Sequence, residues 1–361
     1  MKITDVRTFI VLGNSLFVRV FTDENVDGVG ECSPMNCEVT AYFIEKTLKP
    51  LLLGKNPLEI EKLWNLMFFR SYKQGVQGIQ PEAIAGIDIA LWDILGRVTG
   101  KPIYLLLGGA YQTTFQLYAS IGGGGGMKVD SMVKNVERFI QKGFKAFKIR
   151  MDWGVSKRDA NPDKDLDMYK AVASILDKDM MLSFDANNGY SVKVAIQQAE
   201  KFADIGIFHF EEPVAQYNYL GLKQVCDASS IPISAGEHEY TKWQFKDLIM
   251  NAGVDIIQPD VVKCAGLTEM QKIMTLAEVH DKLLLPHQTQ PTVGTIASLH
   301  ACSTIHGGIL PHEFTGRRQY LEELFIDFPI IEDGQIALLN SPGLGLSPVD
   351  EYFKEIEYHP R

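Results

Sequence analysis

Nowhere in the 361 residues do roughly 18 apolar residues follow one another, so no stretch qualifies as a membrane-crossing helix. Cysteine is scarce and odd in number. Cys32, Cys37, Cys226, Cys264 and Cys302 include one close pair and no second pair at zinc-like spacing, which excludes a disulfide-stapled or zinc-ribbon fold. The thiols are expected to be reduced. Positive charge is in deficit: 35 Lys and Arg against 45 Asp and Glu give a net charge of −10, which repels phosphate backbones and anionic lipid. Neither nucleic acid nor membrane is an expected partner. The amino-terminal MKITDVRTFIVLG has a short alternating apolar run without a small-residue cleavage site, so a cytoplasmic location is expected.

What is present is ordinary globular material, 46% hydrophobic and 22% charged, enough to bury a large core. At about 150 residues per domain the length suggests two domains, although a barrel of about 250 residues forms a single one. Up to about Gly30 the pattern alternates, and SLFVRVFTDENVDGVGE reads as two strands of a hairpin or meander. Helical spacing follows. Within AIAGIDIALWDILGRVTG, residues Ile84, Ile87, Leu91 and Ile94 recur at three and four, and Gly100 and Pro102 stop that helix. Residues 1–113 are therefore expected to form an α+β unit.

From residue 114 short apolar runs alternate with amphipathic helices. The runs are FQLYAS, AFKIR, MMLSFD, IFHFE, IPISAGE, DIIQPD, LLLPH and ILPHE, each but the last followed by a clear helix. Parallel strands need such crossovers, so the fold class is α/β, a modified (β/α)7β TIM-type barrel over residues 114–318. Residues 319–361, with IIEDGQIALLN and SPGLGLSP, read as a strand and turns returning to the first unit.

Active sites of such barrels lie at the carboxyl ends of the strands. Nearly every strand here ends in a polar residue: Lys148 and Arg150, then Asp185, Glu211, Glu237, Asp260, His287 and Glu313. From Asp185 onward the intervals are 26, 26, 23, 27 and 26 residues, one strand, loop and helix each. Any one terminal carboxylate is equally well a helix cap or a solvated loop charge. Three on successive strands repel one another unless a cation compensates, so Asp185, Glu211 and Glu237 point to an all-oxygen divalent site. Mg²⁺ fits this set better than zinc, because Cys and His are absent from it. His287 alone reads as a structural histidine, but Asp260 one strand earlier offers a partner that fixes its tautomer and supports its basicity. An imidazole so placed suits proton abstraction from carbon. Glu313 either stabilises a developing enolate oxygen when protonated or serves as an ion-pair partner.

These motifs resemble the enolase superfamily, mandelate racemase subgroup, along essentially the whole chain. IAGIDIALWDILGRVTGKPIYLLLGG resembles the segment that closes the family's capping domain, and FDANNGY, FEEP, AGEHEY, QPD and PH resemble its barrel motifs in order. The resemblance implies that Asp185, Glu211 and Glu237 ligate Mg²⁺, that Asp260 and His287 form the acid/base dyad, and that Glu313 lies beside the substrate carboxylate. Asn187, His238, Arg150 and Glu313 are the implied substrate-binding residues. The implied chemistry removes the proton α to a sugar-acid carboxylate and stabilises the enediolate that results. Relatives are commonly homo-oligomers, and a homo-oligomer is expected here.

One departure matters. The subgroup's usual Lys-x-Lys reads KIR here, and Arg150, with a pKa above about 12, is a poor base. It suits a carboxylate clamp, with Lys148 neutralising the enediolate. A racemase needs bases on both faces of the substrate, whereas dehydration to a 2-keto-3-deoxy acid needs one, so acid-sugar dehydration is the favoured reading. Cycloisomerisation or epimerisation of a sugar acid, anhydro-sugar acid or lactone is the alternative, with Lys148 as a possible base and His287 as the acid. A non-catalytic relative is disfavoured by the intact ligand set and dyad. The loops near Gly13 to Ser15 and Cys32 to Glu38 resemble those covering the family's site. Gly122 to Gly126 either lets the first barrel loop approach them or is a flexible surface loop, and without a following Lys-Ser/Thr it is no phosphate loop. DWGVSKRDANPDKD reads as a solvated insertion on the active face. Arg317 and Arg318 are further candidates for reading substrate polar groups, and His209 is expected inside the barrel.

Overall fold

A computed structural model describes residues 1–11, 15–306, 310–316 and 319–359. Arg317, Arg318 and most of the loop near Gly13 lie outside the described residues. The alternating amino-terminal pattern forms an antiparallel meander of β1 (Ile3–Val11), β2 (Ser15–Thr22) and β3 (Asp27–Cys32). Its β2 is buried on both faces because the helix Ile79–Thr99 packs against one side and the carboxyl-terminal helix Asp350–Glu355 against the other. That long helix carries the predicted apolar stripe, with Ile84, Ile87, Leu91 and Ile94 fully buried. It stops at Gly100, which takes the left-handed conformation (φ 67°) while the Lys101 amide donates to the Gly96 carbonyl at 2.9 Å.

All eight predicted barrel strands are present: β4 (Thr114–Ile121), β5 (Ala146–Arg150), β6 (Met181–Asp185), β7 (Phe210–Glu211), β8 (Ile233–Ala235), β9 (Ile256–Ile257), β10 (Leu283–Leu284) and β11 (His312–Phe314). They pair in parallel from β4 through β10 in chain order, and β11 returns to pair with β4. Period two divides each strand between two environments. Phe184 and Phe210 pack outward against Phe202, Tyr169 and Tyr190, while Asp185 and Glu211, one residue on, end their strands at the rim. No helix among the described residues is long and apolar enough to cross a membrane.

The tail departs in part from the expected return to the first unit. The hairpin of β12 (Ile331–Glu332) and β13 (Gln335–Ala337) instead extends the barrel sheet, pairing antiparallel with the start of β4. The unsatisfied edge at Thr114–Gln116, ahead of the segment that β11 covers, accounts for this docking. The last stretch does go back. Phe353 sets its ring edge-on to Phe9 at 5.1 Å, and Asp350 pairs with Arg19 at 2.7 Å.

Candidate active site

Strand register brings the rim residues together. Arg150 lies opposite Asp185, and Asp185 opposite Glu211, so the ends of β5, β6 and β7 are level. Glu237, Asp260 and His287 lie two to three residues beyond the ends of β8, β9 and β10, and Glu313 lies within β11. Lys148, Asp185, Glu211, Asp260, His287 and Glu313 are all buried.

Two groups of contacts result. In one, the Lys148 ammonium is 2.6 Å from Glu211 Oε1, 3.1 Å from Glu313 Oε1 and 3.8 Å from Asp185 Oδ2. Burial opposes its charge, but Glu211 and Glu313 prevail and hold the ammonium well above its ordinary pKa. Glu313 is matched to it. Although burial works the other way, Lys148 and His287, with the Gln288 amide donating at 2.9 Å, bring its pKa down to about 2. Of the two roles open to Glu313, the geometry supports the ion-pair partner.

In the other group, His287 lies between two carboxylates. Its Nδ1 is 2.7 Å from Asp260 Oδ2 and its Nε2 is 2.9 Å from Glu237 Oε2. Burial disfavours the imidazolium, yet the Glu237 charge and both hydrogen bonds outweigh it and raise the pKa to about 10. Asp260 is itself fixed by the Val262 amide, which donates to Oδ1 at 3.0 Å.

The carboxylates between these groups determine whether a cation fits. Asp185 is pushed well above its ordinary pKa by burial and then by Glu211 and Glu237, and Glu212 by burial and then by Glu237, Asp185 and Glu211. Asp185 and Glu212 thus carry their charge at a cost, the donor chemistry that a hard divalent cation relieves, whereas burial of Glu237 is outweighed by His287 and His238, which hold its carboxyl well below the ordinary value. The residues fit the group. Among the described residues, the three potential ligands whose donor atoms all lie within 4.8 Å of one another are Glu212, Glu237 and His238. Glu211 instead gives one oxygen to Lys148 and accepts from Gln258 Nε2 on the other at 2.6 Å.

The remaining sequence candidates fall around this centre. Asn187 has both polar ends engaged: its side-chain N–H donates to Asp185 Oδ2 at 3.2 Å, and its oxygen accepts from the Asp152 amide at 2.9 Å. It therefore orients Asp185 and pins the insertion loop. Arg150 pairs through Nε with Asp152 at 2.6 Å and keeps 30% of its side chain exposed. Gly122 lies so close to the Arg150 guanidinium that any side chain there would collide with it. The glycine run is thus packed on β5, with Gly124 and Gly125 donating to the Arg150 and Met151 carbonyls. His238 is partly exposed, 3.1 Å from Glu237. His209 is buried in the barrel beside Ser234.

Glu212, Gln258 and Lys263 were not anticipated. Glu212 has φ 42°, which breaks the strand alternation and lets adjacent glutamates serve one rim, and the doublet in FEEP was its only signal. Lys263 donates to the Glu237 carbonyl at 3.2 Å from a turn wound back on Asp260, a placement that no strand period conveys.

Residues 131–352 match the family described as enolase C-terminal domain-like, and residues 10–108 match the mandelate racemase / muconate lactonizing enzyme N-terminal domain. The chain is 31% identical over 346 residues to an arabinonate dehydratase of Saccharolobus solfataricus, covering 93% of this chain and 89% of that one. A solved mandelate racemase/muconate lactonizing protein from Paracoccus denitrificans, complexed with magnesium, superposes with a TM-score of 0.95 at 37% identity over 99% of this chain and 97% of that one. The 3,6-anhydro-D-galactonate cycloisomerase of Zobellia galactanivorans superposes with a TM-score of 0.89 at 30% identity, covering 99% and 100%.

Proposed function

This chain belongs to the mandelate racemase/muconate lactonizing enzyme family of the enolase superfamily, and on that premise we propose that it is a Mg²⁺-dependent acid-sugar dehydratase. The observation that carries this reading is the pairing of one base with one fixed cation. His287 is held by Asp260 at the carboxylate cluster, while Lys148, the other candidate base, is ion-paired with Glu313, which is not among the residues that would hold the cation. One base suffices for elimination and fails for racemisation.

Asp185, Glu211 and Glu237, with Glu212 beside them, would hold the cation. When bound, Mg²⁺ supplies positive charge that makes the α-proton of a carboxylate removable. Asp260 keeps the proton of neutral His287 on Nδ1, so Nε2 is the basic atom. Nε2 faces Glu237 at 2.9 Å, and because Glu237 is one of the residues that would hold the cation, that ion pair would give way when the site is filled and leave Nε2 free to act as the base. His287 takes the α-proton, and the Cα–H electrons form the enediolate, whose charge Lys148 helps to neutralise. Collapse of the enediolate expels the β-hydroxyl, which leaves as water with the proton that His287 returns. The enol then tautomerises to the 2-keto-3-deoxy acid. Arg150 receives the substrate carboxylate or a distal hydroxyl, and His238, partly exposed beside Glu237, reads a hydroxyl.

Screening aldonic and aldaric acids with a semicarbazide readout tests the proposal: a keto acid should form with Mg²⁺, vanish with EDTA and return when Mg²⁺ is restored. Turnover that survives chelation would rule the reading out. The likeness to the Zobellia cycloisomerase favours one second reading, intramolecular cyclisation through the same enediolate. NMR of the product formed in D₂O separates them, because an isomer that has gained only deuterium excludes loss of water.

A further inference from the structure

The barrel helices that follow the strands differ in how their first turns are satisfied. A helix begins with amide N–H groups that have no partner within it. The helices Pro162–Ala173, Val192–Ile205 and Tyr219–Ala228 are capped by the residue just ahead of each, Asn161, Ser191 and Asn218, accepting from Lys164, Val194 and Gly221 at 3.3, 3.4 and 3.0 Å. These follow β5, β6 and β7. The helices after β9 and β10, which lead to Asp260 and His287, lack this device. Gly266 has no side chain, and the Thr292 hydroxyl makes no cap to its own helix.

Their acceptors come from the amino-terminal unit. Asp88, on the helix Ile79–Thr99, accepts from the Thr268 amide at 2.9 Å on one oxygen and from the Thr268 hydroxyl at 2.6 Å on the other. Glu31, at the end of β3, accepts from the Gly294 amide at 2.8 Å and the Thr292 hydroxyl at 3.2 Å, both on Oε2. Both carboxylates are buried. Gly266 (φ 92°) is required twice over, because a Cβ there would lie 2.5 Å from Asp88 Oδ2. Two indoles reinforce the first contact: Trp64 Nε1 donates to the Ala265 carbonyl and Trp92 Nε1 to the Thr268 hydroxyl, each at 2.9 Å. From Ala265 and Gly266 the chain runs back to Asp260 through a turn in which the Lys263 and Cys264 amides donate to the Asp260 carbonyl and the Gly266 amide to Val261. Four residues separate Thr292 from His287, and the Gln288 amide between them is tied to Glu313.

We propose that Glu31 and Asp88 are positioning residues for proton transfer: each fixes the helix behind one member of the Asp260–His287 pair, so the first unit sets the geometry of the dyad as well as covering the site. This rests on reading that pair as the acid/base dyad. A 1 Å misplacement of a reacting group costs up to about a hundredfold in rate, so loosening either anchor should lower kcat ten- to a hundredfold with a smaller change in KM.

The two carboxylates should answer differently to conservative change. The contacts that Glu31 makes to Gly294 and Thr292 both fall on Oε2, so Glu31→Gln can keep these two and should restore what their loss in Glu31→Ala removes. Asp88 uses both oxygens, so Asp88→Asn should fall between wild type and Asp88→Ala. The direct readout is the downfield proton NMR signal of His287 Nδ1–H, identified by its loss in His287→Asn. It should shift or broaden in Glu31→Ala and Asp88→Ala and be restored in Glu31→Gln, while Asn218→Ala, an equivalent cap removed elsewhere, leaves it in place. Should an alanine variant fail to fold, Thr268→Val and Thr292→Val remove one donor each from the same contacts and give the same readout. An unchanged signal and kcat in variants that merely melt earlier would overturn the proposal. A displaced signal supports it even if no sugar acid is turned over, an outcome that would count against the dehydratase reading instead.

Discussion

The rim of the barrel is built in two ways. On the arc of β5 to β7, the ends that carry Lys148, Arg150, Asp185 and Glu211 lead into helices capped from within a few residues of their own starts. On the arc of β9 and β10, the turns that carry Asp260 and His287 lead into helices whose first amides are satisfied from 180 and 263 residues away. The first arc is locally self-sufficient, and the second is complete only when the amino-terminal unit is docked. Proton transfer is directional and needs its donor and acceptor held in line, so on the proposed reading the second arc is where distant anchoring matters for turnover.

The largest effects should come from removing one group from each arc. Asp185→Asn and His287→Asn should each reduce turnover about a thousandfold or more. They should differ in Mg²⁺ binding by calorimetry, with Asp185→Asn losing it and His287→Asn retaining it, and equal loss of binding in both would erase the distinction between the arcs.

Acid should then unsettle both arcs through buried neutral histidines. Burial lowers His209, on the carboxylate side, to about 3, and His300, in the helix anchored by Glu31, to about 4. Because these folded pKa values lie below the ordinary histidine value, the unfolded chain takes up the extra protons, so stability falls as pH drops from about 6.5 towards 4. Each histidine should contribute about 2 kcal/mol to that loss. Urea unfolding at pH 7 and pH 4.5 measures it, and His300→Asn, which keeps an acceptor for the Tyr104 amide, should flatten the slope. A stability independent of pH over that range would be the contrary result.

A smaller effect is expected at Arg150. Arg150→Lys preserves the charge but loses the planar fork, and KM should rise about tenfold with kcat less affected. A fall confined to kcat would place Arg150 at the reacting carbon instead of at a distal group. Smallest of all, Asn218→Ala should cost about 1 kcal/mol of stability without touching turnover, since its helix lies on the locally capped arc. If it slowed catalysis as much as Asp88→Ala, the contrast drawn between the arcs would fail.

Much of this was legible in the sequence. The eight strands announced themselves as apolar runs ending in a polar residue, and the near-constant interval from Asp185 to Glu313 placed those residues on one rim. Glu212 escaped because its positive φ violates the alternation used to find its neighbours. Lys263 escaped because it reaches the site from a turn beyond the strand. Glu31 and Asp88 read as ordinary members of a strand and a helix, and neither spacing nor composition marks what they touch.

What the sequence determined by itself was the fold class, the order of the rim residues and the chemistry they suggest, because strand and helix periods are local and the crossover length repeats. Tertiary structure alone decided which oxygens face Lys148 and which face His287, that the hairpin at Ile331–Ala337 completes the edge of β4 before the tail turns back, and that two distant carboxylates close the helices behind Asp260 and His287. Those outcomes depend on which unpaired backbone and charged groups meet once the core has formed, and a buried polar group takes whatever partner packing brings within reach.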